Sequence, residues 1–452
     1  MSQERIEKKL RILLYNPISG HGHLDSWNAL FVELLLQHGY EVAALTPDET
    51  TLRKILLQKG VNDHPGLKIL AWECVPPSVW ALREWRYVWG GDGDVSRDMP
   101  FPQIIRKLTL RILFRAEHAV RQRALRIWRT LRRIFEKNTG SWLDPSDMVR
   151  RIREMRNQQN LSIDFLFVMY MDMFHPHSRG WARFDHEIRL PWGGIRFAPQ
   201  SLNEKTRQED YYALRTLKGM CFLEKEACAL YRSAMPEKFF QFLPDITNTD
   251  LPDEEPDIVR KLREAARGRH IVFLGGALDH RKNIEVFCAL AMRAHPEKFL
   301  FAMVGRLYDG SFSEADRAGL ESFRNNVRGN TFLYPDYIED ERDFNALIAA
   351  SDILFAVYKD FHGSSNMLTK GANFGKPILV SDSYLMGNRV RAYGTGMAVP
   401  EDFSLERTME ALEHLYANPV PAACYASYLR DFCPETMGGA LETFIQQGLS
   451  GE

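Results

Sequence analysis

The sequence predicts an α/β protein built as two doubly wound, Rossmann-like domains facing each other across a cleft. Three observations lead there. The 452 residues exceed what one hydrophobic core comfortably holds, so two domains are the default. Apolar runs of strand length alternate with amphipathic helical stretches near both ends of the chain, the pattern of a parallel sheet with helical crossovers. A Pro- and Asp-rich stretch over 244–257 separates the two alternating halves as a linker would. The expected layout is a first domain over 1–248 with a basic helical insertion at about 100–160, a second over 249–415, and a helical tail over 416–452.

Composition narrows the function classes. Hydrophobic residues at 45% and charged residues at 26% are ordinary for a globular protein, and a net charge of -1 argues against nucleic acid as a partner. The six cysteines are scattered without a CxxC pair, so they read as reduced thiols rather than metal ligands. The polar start MSQERIEKKL is no signal peptide, and no apolar run approaches the ~20 residues of a membrane-spanning helix. The expected location is cytoplasmic, at most peripheral on the inner face of the membrane.

In chain order, RILLYN (11–16) is the first strand, WNALFVELLLQHG a helix stopped by Gly39, and EVAALT the second strand. Between the first strand and its helix, the loop bearing Gly20, His21, Gly22 and His23 falls at the strand's carboxyl end, where ligands of such sheets bind. It lacks the third glycine of a dinucleotide fingerprint. Its histidines are either exposed loop residues or, for His23, a general base or substrate contact. Residues 67–74 form a third strand. Asp92 and Asp94 make a DxD, which among glycines reads as a surface turn before it reads as a metal-diphosphate site.

The segment 103–137 carries Leu113, Val120, Ile127 and Leu131 on one helical stripe and Arg115, Arg126, Arg129 and Arg133 on the other. Either it docks on an anionic membrane surface or a charged substrate carrier, or it is a packed helix with a solvated basic face. The first domain resumes at 164–170 with a buried parallel strand. His175 and His177 follow at i, i+2, a weak metal pattern without a third ligand, and Tyr170 and Asp172 stand beside them. Further strands fall at 193–198, 220–223 and 239–243.

From His270 the alternation is clean: HIVFLGG, a helix, FLFAMVG, a helix, NTFLY, a helix, and then 351–387. This last stretch reads strand, loop, short helix, strand. Gly363, Ser364 and Ser365 open the helix at Asn366, and Gly375 closes it; Ser is a favoured N-cap and Gly a favoured residue past the last turn. A strand feeding a Ser-capped helix offers free N–H groups and the positive dipole end to an anion.

On these residues the chain resembles the GT-B glycosyltransferases, most of all family 4. The resemblance is carried by Gly275-Gly276, His280-Arg281-Lys282-Asn283, Gly305, the run AASDILFAVYKDFHGSSNMLTKGANFGKPILVSD, Gly387 and YGTGMAV. It is strong over 270–400, weaker over 11–46 and absent over 75–160. It implies transfer of a sugar from a nucleoside diphosphate sugar to an acceptor hydroxyl, with no further cofactor and no obligatory metal. Arg281, Lys282, Gly363, Ser364, Ser365 and Asn366 would hold the donor diphosphate, and Gly276 and Lys370 would stand near. His362 would lie by the donor sugar, and Gly20, Gly22 and His23 by the acceptor: a glycan, a lipid-linked sugar or a small molecule.

The family's two glutamates, eight positions apart, fall here on His362 and Lys370. Its arginine before the lysine falls on Ala277, and its histidine after the fourth strand has no clear counterpart. Resemblance favours retention of anomeric configuration, with inversion requiring His23 as base. A nucleotide-sugar epimerase and a non-catalytic relic that binds a partner are the alternatives.

Overall fold

A computed structural model describes residues 9–19, 24–72, 143–199, 202 and 208–450. The loop residues Gly20, Gly22 and His23, the Asp92/Asp94 pair and the basic segment 103–137 lie outside the described residues.

Two parallel sheets organise the chain. The first holds β1 (Arg11–Tyr15), β2 (Glu41–Thr46), β3 (Leu67–Ala71), β4 (Phe165–Val168), β5 (Trp192–Arg196), β6 (Leu217–Phe222) and β7 (Phe239–Phe242), in the order β3-β2-β1-β4-β5-β6-β7. The second holds β8 (His270–Gly275), β9 (Phe299–Val304), β10 (Thr331–Tyr334), β11 (Ile353–Ala356), β12 (Ile378–Ser381) and β13 (Gly396–Val399), in the order β10-β9-β8-β11-β12-β13. Every pairing is parallel, as in β1 with β4 and β8 with β11.

The reason lies in the strands. ILLY, FLFV, FLFAMV and ILFA are continuous apolar runs buried on both faces, which suits a central strand covered by helices on either side. Each sheet accordingly has two cores: Leu14, Phe31, Phe167 and Phe444 lie on one face of the first, Leu13, Trp181, Trp192 and Phe240 on the other.

In both sheets the chain builds outward to one edge, then returns to the middle and builds toward the other. The turning points fall between β1 and β4 and between β8 and β11. There the loops leaving neighbouring strands diverge, which opens a crevice at the carboxyl edge where ligands of such sheets bind.

The C-terminal stretch does not trail the second sheet. Helix Pro434–Ser450 returns to the first one, where Met437, Leu441, Phe444 and Ile445 are buried in its core. The ring of Phe444 meets Phe165 and Phe167 edge-on at 6.1 and 6.0 Å. Gly193 of β5 leaves room for it, since a Cβ there would stand 2.4 Å from Phe444 Cζ.

Candidate active site

The crevice of the second sheet is lined by the loops after β8 and β11, and these are joined. The Lys359 N–H donates to the Arg281 carbonyl at 2.8 Å. After β8 the backbone turns at Gly276 (φ +97°) and a short 3-10 turn, His280–Lys282, is capped by Asp279. Gly305, ending β9, sits so close that a Cβ on it would be 2.0 Å from the Gly276 oxygen. Only glycine permits that approach.

This packing delivers Arg281 and Lys282 to the carboxyl edge. Arg281 forks onto Asp279, with its Nη2 2.6 Å from Oδ2, and its side chain is half exposed. Lys282 Nζ donates to the Tyr358 hydroxyl at 2.7 Å and lies 4.0 Å from the centre of that ring. Lys359 pairs with Glu285 at 3.3 Å. Lys282, by contrast, has no carboxylate partner among the described residues, so its charge is held in place by a neutral group.

The loop after β11 leads into helix Asn366–Asn373. Ser365 is its N-cap and its Oγ accepts from the Met367 N–H at 3.4 Å. The backbone N–H groups of Gly363, Ser364, Ser365 and Asn366 find no acceptor among the described residues. Four such donors at a helix start, in the loop that follows Tyr358, the partner of Lys282, suit an oxyanion. His362 is exposed; its Nε2 lies 3.1 Å from Asp360 Oδ1.

Two of the expected phosphate contacts are engaged elsewhere. The Ser364 hydroxyl donates to Asp245 in the linker and accepts from Arg389 Nη1 at 2.7 Å. Lys370 is fully buried. Its ammonium donates to the Asn248 carbonyl at 2.8 Å, Glu341 at 2.9 Å and the side chain of Asn345. Burial pushes its pKa down and Glu341 opposes this. Where the resemblance sets a glutamate, this chain has a lysine that clamps the linker. Arg389 is a buried residue that reading the sequence did not single out. Its signal was a place on the apolar stripe of helix Tyr384–Tyr393, among Leu385, Met386 and Val390.

At the first sheet's crevice, Asp172 accepts from the Phe197 and Ala198 N–H groups at 2.7 and 3.0 Å and from Arg196 at 3.3 Å. It anchors the loop after β5. His175 and His177 stand in a loop rather than on a strand: the His177 N–H donates to His175 Nδ1 at 3.0 Å, and His177 Nδ1 lies 3.2 Å from Asp210. Among the described residues no group of His, Cys, Asp and Glu is arranged to hold a metal.

No protein-family model matches the sequence, and no curated protein is similar to it at the level of sequence. Solved structures are similar in three dimensions. A glycosyltransferase from Rickettsia africae matches with a TM-score of 0.60 at 11% identity, over 98% of this chain and 100% of that one. HepE from Anabaena, in complex with UDP and glucose, matches with a TM-score of 0.60 at 9% identity, over 97% and 99%. Sucrose-phosphate synthase from Thermosynechococcus elongatus matches with a TM-score of 0.59 at 14% identity, over 98% and 100%. With two doubly wound parallel sheets and matches spanning nearly the full length of each chain, the protein has the GT-B fold.

Proposed function

We propose that this protein is a glycosyltransferase that moves a sugar from a nucleoside diphosphate sugar to an acceptor hydroxyl. The observation that carries the reading is Lys282. Among the described residues it is a cation held at the second sheet's crevice by the hydroxyl of Tyr358, which leads into the loop whose four backbone N–H groups precede the next helix. In sugar transfer the bond from the anomeric carbon to the β-phosphate oxygen breaks, and the diphosphate leaves with more negative charge than it brought. A positioned ammonium and preoriented N–H groups stabilise that charge where it develops. Arg281, half exposed at the same edge, adds to them by exchanging Asp279 for phosphate.

The structural likeness to HepE, solved with UDP and with glucose, supports a nucleotide sugar as the donor. The acceptor then belongs at the crevice between β1 and β4, where the loop with Gly20, Gly22 and His23 leaves β1. If the anomeric centre inverts, His23 is the base that takes the acceptor proton. If it is retained, in the manner of family 4, Lys282 and Arg281 carry most of the work on the leaving group. The basic segment 103–137 would suit a lipid-linked acceptor at an anionic membrane surface.

A second reading, a binding protein without turnover, draws on Ser364 and Lys370 being engaged within the fold. A melting-temperature panel of UDP, GDP, ADP, TDP and CMP, each with and without magnesium, separates the two. A ligand that binds only the folded state raises the melting temperature by mass action. A shift with one diphosphate supports the transferase; no shift with any overturns the donor site.

A further inference from the structure

Arg151 lies in helix Pro145–Gln159, which packs on the first sheet, and it is only 9% exposed. Its Nη1 donates to the Tyr15 hydroxyl at 2.9 Å, and its guanidinium carbon stands 3.3 Å from the centre of the Trp72 ring. Tyr15 ends β1, where that strand pairs with both β2 and β4, and Trp72 directly follows β3. The guanidinium thus bridges the carboxyl ends of β1 and β3, beside the turning point of the first sheet. No carboxylate balances it among the described residues; Asp147, one turn earlier, pairs with Arg150 at 2.8 Å. The other two arginines buried among the described residues, Arg196 and Arg389, each face a carboxylate, Asp172 and Asp245.

Burying a guanidinium without a counter-charge is costly, and the ring it stacks on offsets only part of that. The Trp72 face attracts the cation but offers no lone pair to its N–H groups. The Nε–Nη2 edge, the one that forks onto carboxylates and phosphates, finds no acceptor among the described residues, and neither does the buried Trp72 Nε1. Asn16, which follows β1, is fully buried, with Nδ2 3.4 Å from Thr46 Oγ1 and Oδ1 unpartnered among the described residues. Buried polar groups are nearly always paired, so several orphans along one carboxyl edge mark a place for a ligand.

We infer that Arg151 and Trp72 bind an oxyanion, a carboxylate or phosphate group carried by the acceptor, an inference that rests on the reading of the first crevice as the acceptor's. The Nε–Nη2 fork takes two oxygens of the anion, and Trp72 Nε1 is a further donor beside it. Tyr15 holds the guanidinium in place and is a positioning residue. The anion supplies the missing counter-charge, so an acceptor anchored by it is oriented before the donor sugar arrives. A neutral analogue leaves the buried cation unpaired and is rejected for that reason. Arg151 and Trp72 are specificity-determining residues that reading the sequence did not single out.

The test measures binding of glucuronic acid, glucose 6-phosphate and, as the neutral match, glucose by calorimetry at fixed ionic strength. The proteins are the wild type, Arg151→Met, which keeps the packing on Trp72, and Lys282→Ala, which removes the donor-loop cation. Circular dichroism checks the fold. Tyr15→Phe with Arg151→Met, which leaves no orphaned hydroxyl, replaces the single variant if that one unfolds. The wild type should bind one or both acids about tenfold more tightly than glucose, and the acid preferred names the oxyanion. Arg151→Met should lose that preference and Lys282→Ala should keep it. Equal binding of all three sugars by the wild type, binding of none, or a preference that survives Arg151→Met overturns the inference. If neither UDP nor GDP binds the wild type while the acid preference depends on Arg151, the donor site falls and the oxyanion site stands.

Discussion

Arg389 reaches Ser364 with Nη1 at 2.7 Å while its Nη2 donates to the Leu223 carbonyl, also at 2.7 Å. One side chain thus ties the helix after β12 to the turn before helix Asn366–Asn373 and to the loop leaving β6 of the other sheet. Asp245, 3.9 Å from the guanidinium, balances its charge, and the Phe432 ring lies 4.7 Å from it. Replacing Arg389 by Leu leaves the buried carboxylate of Asp245 uncompensated and should cost about 3 kcal/mol or more of stability. Arg389→Lys should recover only part, because a compact ammonium cannot span the separation that the two guanidinium nitrogens bridge between Ser364 and Leu223. Urea unfolding followed by tryptophan fluorescence measures both; a loss under 1 kcal/mol for the Leu variant would refute the tie.

Lys282→Ala should leave the melting temperature within a few degrees, since the side chain is only half-buried and its partner is a neutral hydroxyl. If Lys282 acts on the departing diphosphate, transfer should fall about a hundredfold, with kcat affected more than the donor KM. Normal turnover in this variant would remove Lys282 from the chemistry.

Lys370 gives a pH signature. Its pKa in the fold is lowered below the ordinary 10.5, first by burial. In the window below 10.5 the unfolded chain therefore holds this proton more tightly than the fold does. The contribution of Lys370 to stability thus rises as pH climbs toward 10.5 and is lost as pH falls through the lowered value. Lys370→Met should flatten that part of the stability profile relative to wild type. It should also destabilise by about 3 kcal/mol at neutral pH, because the carboxylate of Glu341 loses its partner. Parallel profiles for the two proteins would contradict the assignment.

What could be read from the sequence was whatever is decided locally. Burial on both faces makes FLFV and ILFA unbroken apolar runs, so the strands were legible. The Ser365 cap was legible because capping is chemistry within one turn. The ties of Ser364 to Asp245 and of Lys370 to Asn248 depend on where distant loops meet, and residue spacing carries no such information. The fate of Lys370 illustrates the difference. A lysine inside a short helix reads as a surface charge or a phosphate contact, and only the path of the linker across it makes it a buried clamp.

The last helix makes the first sheet depend on residues more than two hundred positions downstream. Phe444 is 1% exposed and stands against Phe165, Phe167 and Phe239. Phe444→Ala should therefore cost about 3 kcal/mol or more, the range for emptying an aromatic site in a core. Gly193→Ala tests the same contact from the other side, because its new Cβ would stand 2.4 Å from Phe444 Cζ and 2.9 Å from the Gly219 oxygen. Once the ring is gone, only the backbone clash remains. The double variant should therefore be less destabilised than the two single costs added together, since residues in contact do not behave independently. Simple additivity in chemical denaturation would mean that helix Pro434–Ser450 does not pack on β5 in solution.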